Sequence, residues 1–209
     1  MIIGMPVYPH VDLLDVTGPY EILGWMRQFA PPAEIRLIGQ SDCDVTTRDG
    51  FTFKVSHTFE TAGQLDVLWV PGGDPDELKR IIADPQRTYL DFLIRQAQGA
   101  RYVCSVCEGA LLLAAAGLLD GFEATTHWAF IPCLKEYPDI KVAPGAPRYV
   151  HDRNRLTGGG ISSGLDESLK LVELLHGTEM AERVQRMTQY FPDPPVSADL
   201  PVATTCPLN

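Results

Sequence analysis

An α/β fold built on a mostly parallel sheet is what the sequence predicts, and three stretches predict it. Residues 65–70, LDVLWV, form the near-continuous apolar run that a strand covered on both faces requires. Residues 101–113, RYVCSVCEGALLL, pass from a short β-branched strand into an Ala/Leu run of strong helix propensity. The stretch TGGGISSGLDESLKLVELL, which begins at Thr157, makes the same strand-to-helix change near the end of the chain. With 209 residues, 45% of them hydrophobic, there is enough apolar surface for one sizeable core, and a single domain is expected over residues 1–191.

The elements follow in order. Residues 2–8 read as a first buried strand, Pro9-His10-Val11-Asp12 as a turn, and residues 13–29 as a helix. Within LLDVTGPYEIL, Pro19 is tolerated near a helix start, Thr17 is a candidate cap and Gly18 permits a tight turn. Asp15 lies just before that turn among Leu13, Leu14 and Val16. It is either a capping carboxylate facing water or a carboxyl in a dry pocket; composition favours the cap, and a nearby nucleophile adds weight to the pocket. Residues 35–39 make a second strand, and residues 45–55, with Asp49-Gly50 at the centre, a hairpin. The apolar strand at 65–70 ends in Pro71-Gly72-Gly73, which sets bare N–H groups at the carboxyl edge of the sheet. These are part of an anion hole or simply a tight turn. Residues 76–83 and 85–98 read as helices, the second amphipathic.

Cys107 falls at the turn between strand 101–105 and a helix closing at Gly117, and it is the candidate nucleophile. A turn this sharp lifts the side chain out of the sheet edge beside the unpaired N–H groups of a helix start, so its thiol is expected to ionise more readily than a free cysteine. Cys104, mid-strand, fits inert packing. Together they spell C-x-x-C, but a zinc site needs a second ligand pair, and Cys43, Cys133 and Cys206 stand apart with no His at ligand spacing. The five cysteines read as reduced thiols rather than a disulfide framework.

Residues 123–126 read as a short strand leading into His127-Trp128, with His127 in a supporting role. Residues 149–156 form a hairpin around 152–154. Gly158-Gly159-Gly160 suggests a dinucleotide loop only weakly, since Ser163 stands where the third glycine belongs; packing Ile161 against the Cys107 turn is the better reading. Residues 178–190 make a last helix, and the five prolines after Phe191 predict an extended arm or partly disordered tail over 192–209. A net charge of -10 argues against nucleic acid. No apolar run reaches membrane-spanning length, and MIIGMPVYPH lacks a basic start, so a cytoplasmic protein is expected.

Taken together, LDVTGP, LDVLWVPGG, CSVCEGALLLAAAGLL, ATTHWAF and LTGGGISSGLD resemble the ThiJ/PfpI superfamily, and within it the isocyanide hydratases. The resemblance implies a flavodoxin-like sandwich with helices on both faces, a homodimer, a small-molecule substrate and no metal or organic cofactor. Carried onto this chain, the nucleophile matches Cys107 and its acidic partner Asp15, a hydro-lyase pair. Backbone N–H groups of Gly72, Gly73 and Glu108 would hold the anionic sulfur or developing charge, with Thr17, His127 and Ile161 in support. Peptidase-like members place His directly after the nucleophile, and the hydratases most readily compared place Thr; this chain has Glu108. Either Glu108 points outward along the helix dipole, or one acid near the sulfur keeps its proton, Asp15 being the better candidate. The competing functions are a cofactor-free glyoxalase or deglycase, whose members commonly use Glu at the Asp15 position, and a redox sensor in which Cys107 is oxidised to a sulfinic acid. The ligand-sensing half of a transcription regulator would need a helix-turn-helix beyond Tyr190.

Overall fold

In the computed structural model, which describes residues 1–30 and 33–209, the chain alternates strand and helix as expected. Strand β1 (Ile2–Pro6) leads into helix α1 (Leu13–Phe29) and returns through β2 (Glu34–Gly39). The hairpin β3 (Val45–Thr46) and β4 (Thr52–Phe53) precedes the short β5 (His57–Thr58) and the apolar β6 (Val67–Val70). Helices α2 (Pro75–Ile82) and α3 (Thr88–Ala97) lead to β7 (Tyr102–Ser105) and α4 (Gly109–Ala115). Strand β8 (Glu123–Ala124), a 3-10 turn at Trp128–Phe130, α5 (Ile131–Leu134) and β9 (Lys141–Val142) follow. The hairpin β10 (Tyr149–Asp152) and β11 (Arg155–Gly158), then α6 (Ser163–His176) and α7 (Thr178–Thr188), complete the regular structure.

Among the described residues, seven strands form one sheet in the order β10-β11-β7-β6-β1-β2-β5, parallel throughout except for β10. The two central pairings align Ile3 with Val67 and Trp69 with Cys104. All four residues of β6 are buried, which is why that segment reads as unbroken apolar sequence. The helices sort into two packed groups, α1 with α6 and α7, and α2 with α3, α4 and α5. Trp69, Phe92, Met5, Leu23 and Met26 are fully buried among them. From β1 the chain builds outward through β2, then crosses back to β6 on the other side. The strand order therefore reverses at β1/β6, where open α/β sheets form a ligand crevice.

Two expectations are corrected. Thr17 does not cap α1: the helix begins four residues earlier with Asp12 at the capping position, and Thr17 Oγ1 donates to Leu13 O at 2.9 Å from within it. Nor are all five cysteines free. Cys133 in α5 is bonded to Cys206 in the C-terminal arm across 73 residues, while Cys43, Cys104 and Cys107 keep their thiols. Spacing hid this bond because it joins a short helix to a segment with no regular structure. No described helix is long and apolar enough to cross a membrane.

Candidate active site

Cys107 sits immediately beyond β7 with φ of 55°, a left-handed conformation that is unusual for a residue with a Cβ. Its neighbours hold it there. Cys107 N–H donates to Gly159 O at 2.8 Å, and Thr126 Oγ1 donates to Cys107 O at 2.8 Å. Behind the turn, a Cβ on Gly109 would run into the Val70 carbonyl, so only glycine lets the elbow rest on the end of β6. The loops after β11, β7, β6 and β1 thereby converge at one sheet edge.

Asp15 reaches this edge from the first turn of α1, and its placement follows from the sequence around it. Pro19 has no N–H to give to the Asp15 carbonyl four residues earlier. Trp69 Nε1 on β6 donates to that carbonyl instead, at 3.1 Å, which ties the helix to the sheet. The Asp15 side chain is fully buried, and its Oδ2 accepts the Gly72 N–H at 2.8 Å. This is the dry-pocket reading rather than the cap. Burial raises its pKa well above the ordinary carboxylate value, the charges of Asp12 and Glu108 push the same way, and the Gly72 hydrogen bond opposes.

Three further groups complete the site, and sequence reading missed two of them, Asp12 and Arg48. Asp12, buried in the loop before α1, lies with Oδ2 4.0 Å from Cys107 Sγ, while its Oδ1 is 3.0 Å from Arg48 Nε. Arg48 comes from the β3–β4 hairpin, which is fixed to the first loop by His10 N–H to Thr46 O and Arg48 N–H to Val11 O. The hairpin was legible, but not that its tip brings a cation to Asp12 beside Cys107. Glu108 points inward, 5% exposed, and burial pushes its pKa up to about 7. Donor atoms of Asp12, Asp15, Cys107 and Glu108 all lie within 4.8 Å of one another. Three carboxyls and a thiol this close cannot all ionise, and bound protons or a shared cation are the two ways to neutralise them.

The thiol accordingly departs from expectation. Burial raises the Cys107 pKa well above its usual value, Asp15 and Glu108 raise it further, and the Ile161 N–H facing the sulfur opposes them. The N–H groups expected to stabilise a thiolate are largely engaged: Cys107 N–H on Gly159 O, Gly109 N–H on Val106 O, and Glu108 N–H on its own carboxyl. Gly72 N–H serves Asp15 rather than the sulfur, and a side chain at Gly72 would collide with Glu108. Gly73 lies against the His10–Val11 backbone. Ile161, in the loop after β11, is the residue whose N–H does face Cys107. His127 packs on Gly160, and its Nδ1 accepts the Ala129 N–H at 3.2 Å. Burial lowers its pKa, so it stays neutral as a cap. Thr17, one turn into α1, gives its hydroxyl to its own helix.

With this geometry in view, the relatives can be placed. The chain is 41% identical to the isonitrile hydratase of Pseudomonas putida over 95% of its own length and 82% of that protein. It is 35% identical to the HTH-type transcriptional regulator GbdR of Pseudomonas aeruginosa over 90% of its length, spanning 50% of the regulator. Among solved structures, a THiJ/PfpI family protein from Pseudomonas syringae superposes with a TM-score of 0.84 at 37% identity, covering 94% of this chain and 78% of that one. Drosophila melanogaster DJ-1beta superposes at 0.77 with 17% identity, covering 90% and 97%, which speaks for the fold alone. The flavodoxin-like architecture is thus shared with both solved neighbours. The DJ-1/PfpI family model matches residues 3–174, and the chain belongs to the DJ-1/PfpI family.

Proposed function

We propose that the protein is an isocyanide hydratase that converts an isocyanide and water to an N-substituted formamide, with Cys107 as nucleophile and Asp15 as general acid and base. The observation that carries this reading is a buried thiol clustered with three carboxyls, two of which, Asp15 and Glu108, have pKa values raised by burial, and with no histidine in that cluster among the described residues. Such a site sets acids close to the sulfur and lacks the thiol–histidine pair with which cysteine hydrolases attack esters and amides. It suits an isocyanide, whose terminal carbon accepts a nucleophile as it accepts a proton. The 41% identity to an isonitrile hydratase supports the same conclusion.

In the first step the Cys107 sulfur bonds to the isocyanide carbon and gives up its proton to the carboxyl cluster, while Asp15 delivers a proton to that carbon. The product is a thioimidate. Water then adds to the same carbon: Asp15 accepts one of its protons, and the carboxyl that took the thiol proton passes it to the nitrogen. Collapse of the adduct forms the C=O, breaks the C–S bond, sends the hydroxyl proton to the departing sulfur and releases the formamide. Glu108, with a pKa of about 7, is matched to receiving the thiol proton. Ile161 N–H would bear on the sulfur as it becomes negative. A small-molecule substrate and a homodimer belong to the same reading.

The test is single-turnover mixing with an aliphatic isocyanide, followed by mass spectrometry. A transient adduct on Cys107 that decays as formamide appears is the expected result. Turnover of methylglyoxal with inert isocyanides would transfer the site to the glyoxalase class.

A further inference from the structure

The proposed chemistry uses loops at the sheet edge and leaves the C-terminal arm without a role. The arm carries no helix or strand after Gln189, yet it is tied down at both ends. At its start Tyr190 Oη donates to Asp166 Oδ1 at 3.3 Å. At its end Cys206 is bonded to Cys133, Leu208 packs on the core, and Asn209 Nδ2 donates to Glu136 Oε1 at 2.8 Å. Between these anchors Leu200 forms part of the wall of a 320 Å³ cleft, together with Thr126, His127, Gly159 and Ile161. Three of those four border the Cys107 turn, which lies behind the cleft wall: Gly159 O and Thr126 Oγ1 hold the Cys107 backbone, and Ile161 N–H faces its sulfur. The cleft is of a size to take a small organic substituent. Leu200 is 58% exposed, an apolar side chain held mostly uncovered where a ligand would cover it.

We propose that Leu200 is a specificity-determining residue, one wall of the space that receives the substrate's substituent, and that the Cys133–Cys206 bond holds this wall in place. The identity of the substrate rests on the hydratase reading; the wall itself does not. Opening the disulfide takes two electrons and two protons from a dithiol reductant, which leaves as its own disulfide, and yields two cysteine thiols. The arm then keeps only its lighter contacts at that end, and the wall loosens. One methylene more or less in an enclosing hydrophobic pocket is worth roughly 10-fold to 200-fold in discrimination, and a single wall such as Leu200 belongs at the low end of that range.

Two readouts test this. The first is kcat/KM for cyclohexyl isocyanide relative to methyl isocyanide. The second is the rate at which Cys107 is alkylated by N-phenyl iodoacetamide relative to iodoacetamide, resolved by peptide mass spectrometry and independent of any hydration. Leu200→Ala should raise both ratios in favour of the bulky reagent by about 10-fold. Cys206→Ser, and the wild-type protein treated with dithiothreitol, should move them in the same direction. Val202→Ala, at a side chain 90% exposed on the same arm and outside this cleft, should leave them unchanged. Unchanged ratios in Leu200→Ala would overturn the proposal, and an effect of Leu200→Ala without one of Cys206→Ser would overturn the part given to the disulfide. Thermal unfolding of Cys206→Ser separates loss of the wall from loss of the fold, and Leu200, being exposed, can be truncated without that ambiguity. A shifted alkylation ratio in a protein that hydrates no isocyanide would keep the wall and discard the hydratase reading.

Discussion

Cys104 and Cys107 stand three residues apart, both buried and both with thiol pKa values pushed well up by that burial, yet they occupy different chemical worlds. Cys104 is in regular strand, aligned with Trp69 on one side and Leu156 on the other, and its sulfur belongs to the core. The charges that act on it are Glu167 and Arg155, of opposite sign and opposing effect. Cys107 is beyond the strand end, with φ of 55° and three carboxyls whose oxygens lie within 4.8 Å of its donor set. Burial alone therefore does not mark a nucleophile. What separates the two is the turn, which takes the second sulfur past the strand end to the sheet edge where four loops meet and sets it, still only 1% exposed, among three carboxyls.

Replacing the sulfur itself is the change expected to have the largest effect. Cys107→Ala should lower formamide production by about 10⁴-fold or more, since no covalent intermediate can form. Stopped assays with quantified formamide would show it, and residual turnover near wild type would end the nucleophile assignment. Asp15→Asn should cost about 10²-fold to 10⁴-fold in kcat. The amide oxygen still accepts the Gly72 N–H, so the loop keeps its anchor while the proton is lost. Full activity in this variant would move the acid role to Asp12, whose carboxyl is 4.0 Å from the sulfur.

The same comparison explains what could be read before the fold was seen. Strand, elbow and helix were legible because β6, β7 and α4 are buried throughout or nearly so, and burial writes itself into sequence as apolar runs. Asp15 stood out because a carboxyl among Leu13, Leu14 and Val16 conflicts with that pattern. Asp12 and Arg48 did not stand out, since each sits in a polar turn where such residues are ordinary. Their meeting depends on the hairpin folding over the first loop, a contact between segments 36 residues apart that no local pattern records. The direction of the Cys107 pKa was misread for a related reason. Local rules supply the helix start, whereas the carboxyls that outweigh it come from α1, its preceding loop and the inward rotamer of Glu108.

Glu108 offers a way to sharpen the contrast through pH. Its pKa is raised from 4.5 to about 7 in the folded protein, so between those values the folded state keeps a proton that the unfolded state has released. Stability must then fall as pH rises through this window, by a total on the order of 3 kcal/mol once both are passed. Glu108→Gln cannot titrate there. Urea unfolding should find the variant more stable than wild type at pH 8, with the difference vanishing below about pH 4.5. Removing the charge beside the sulfur should also speed alkylation of Cys107 at pH 8, because the thiol pKa drops. Parallel stability curves for the two proteins would mean that Glu108 faces water.

The smallest effect belongs to the other cysteine, and it decides whether the C-x-x-C pair has any redox role. Cys104→Ala removes one buried sulfur from between Trp69 and Leu156 and leaves a small void, at a cost of about 1 kcal/mol. For a chain of this length that lowers Tm by roughly 2–4 °C. Turnover should stay within about twofold of wild type, since Cys104 lies within β7 and is not one of the groups clustered with Cys107. A dithiol mechanism requires the opposite, because oxidation of Cys107 would then be resolved by Cys104 and both substitutions would abolish activity together. Measuring Tm and formamide release on the same Cys104→Ala sample tells the two apart: a modest loss of stability with catalysis intact leaves the strand as a scaffold and the turn as the place where chemistry happens.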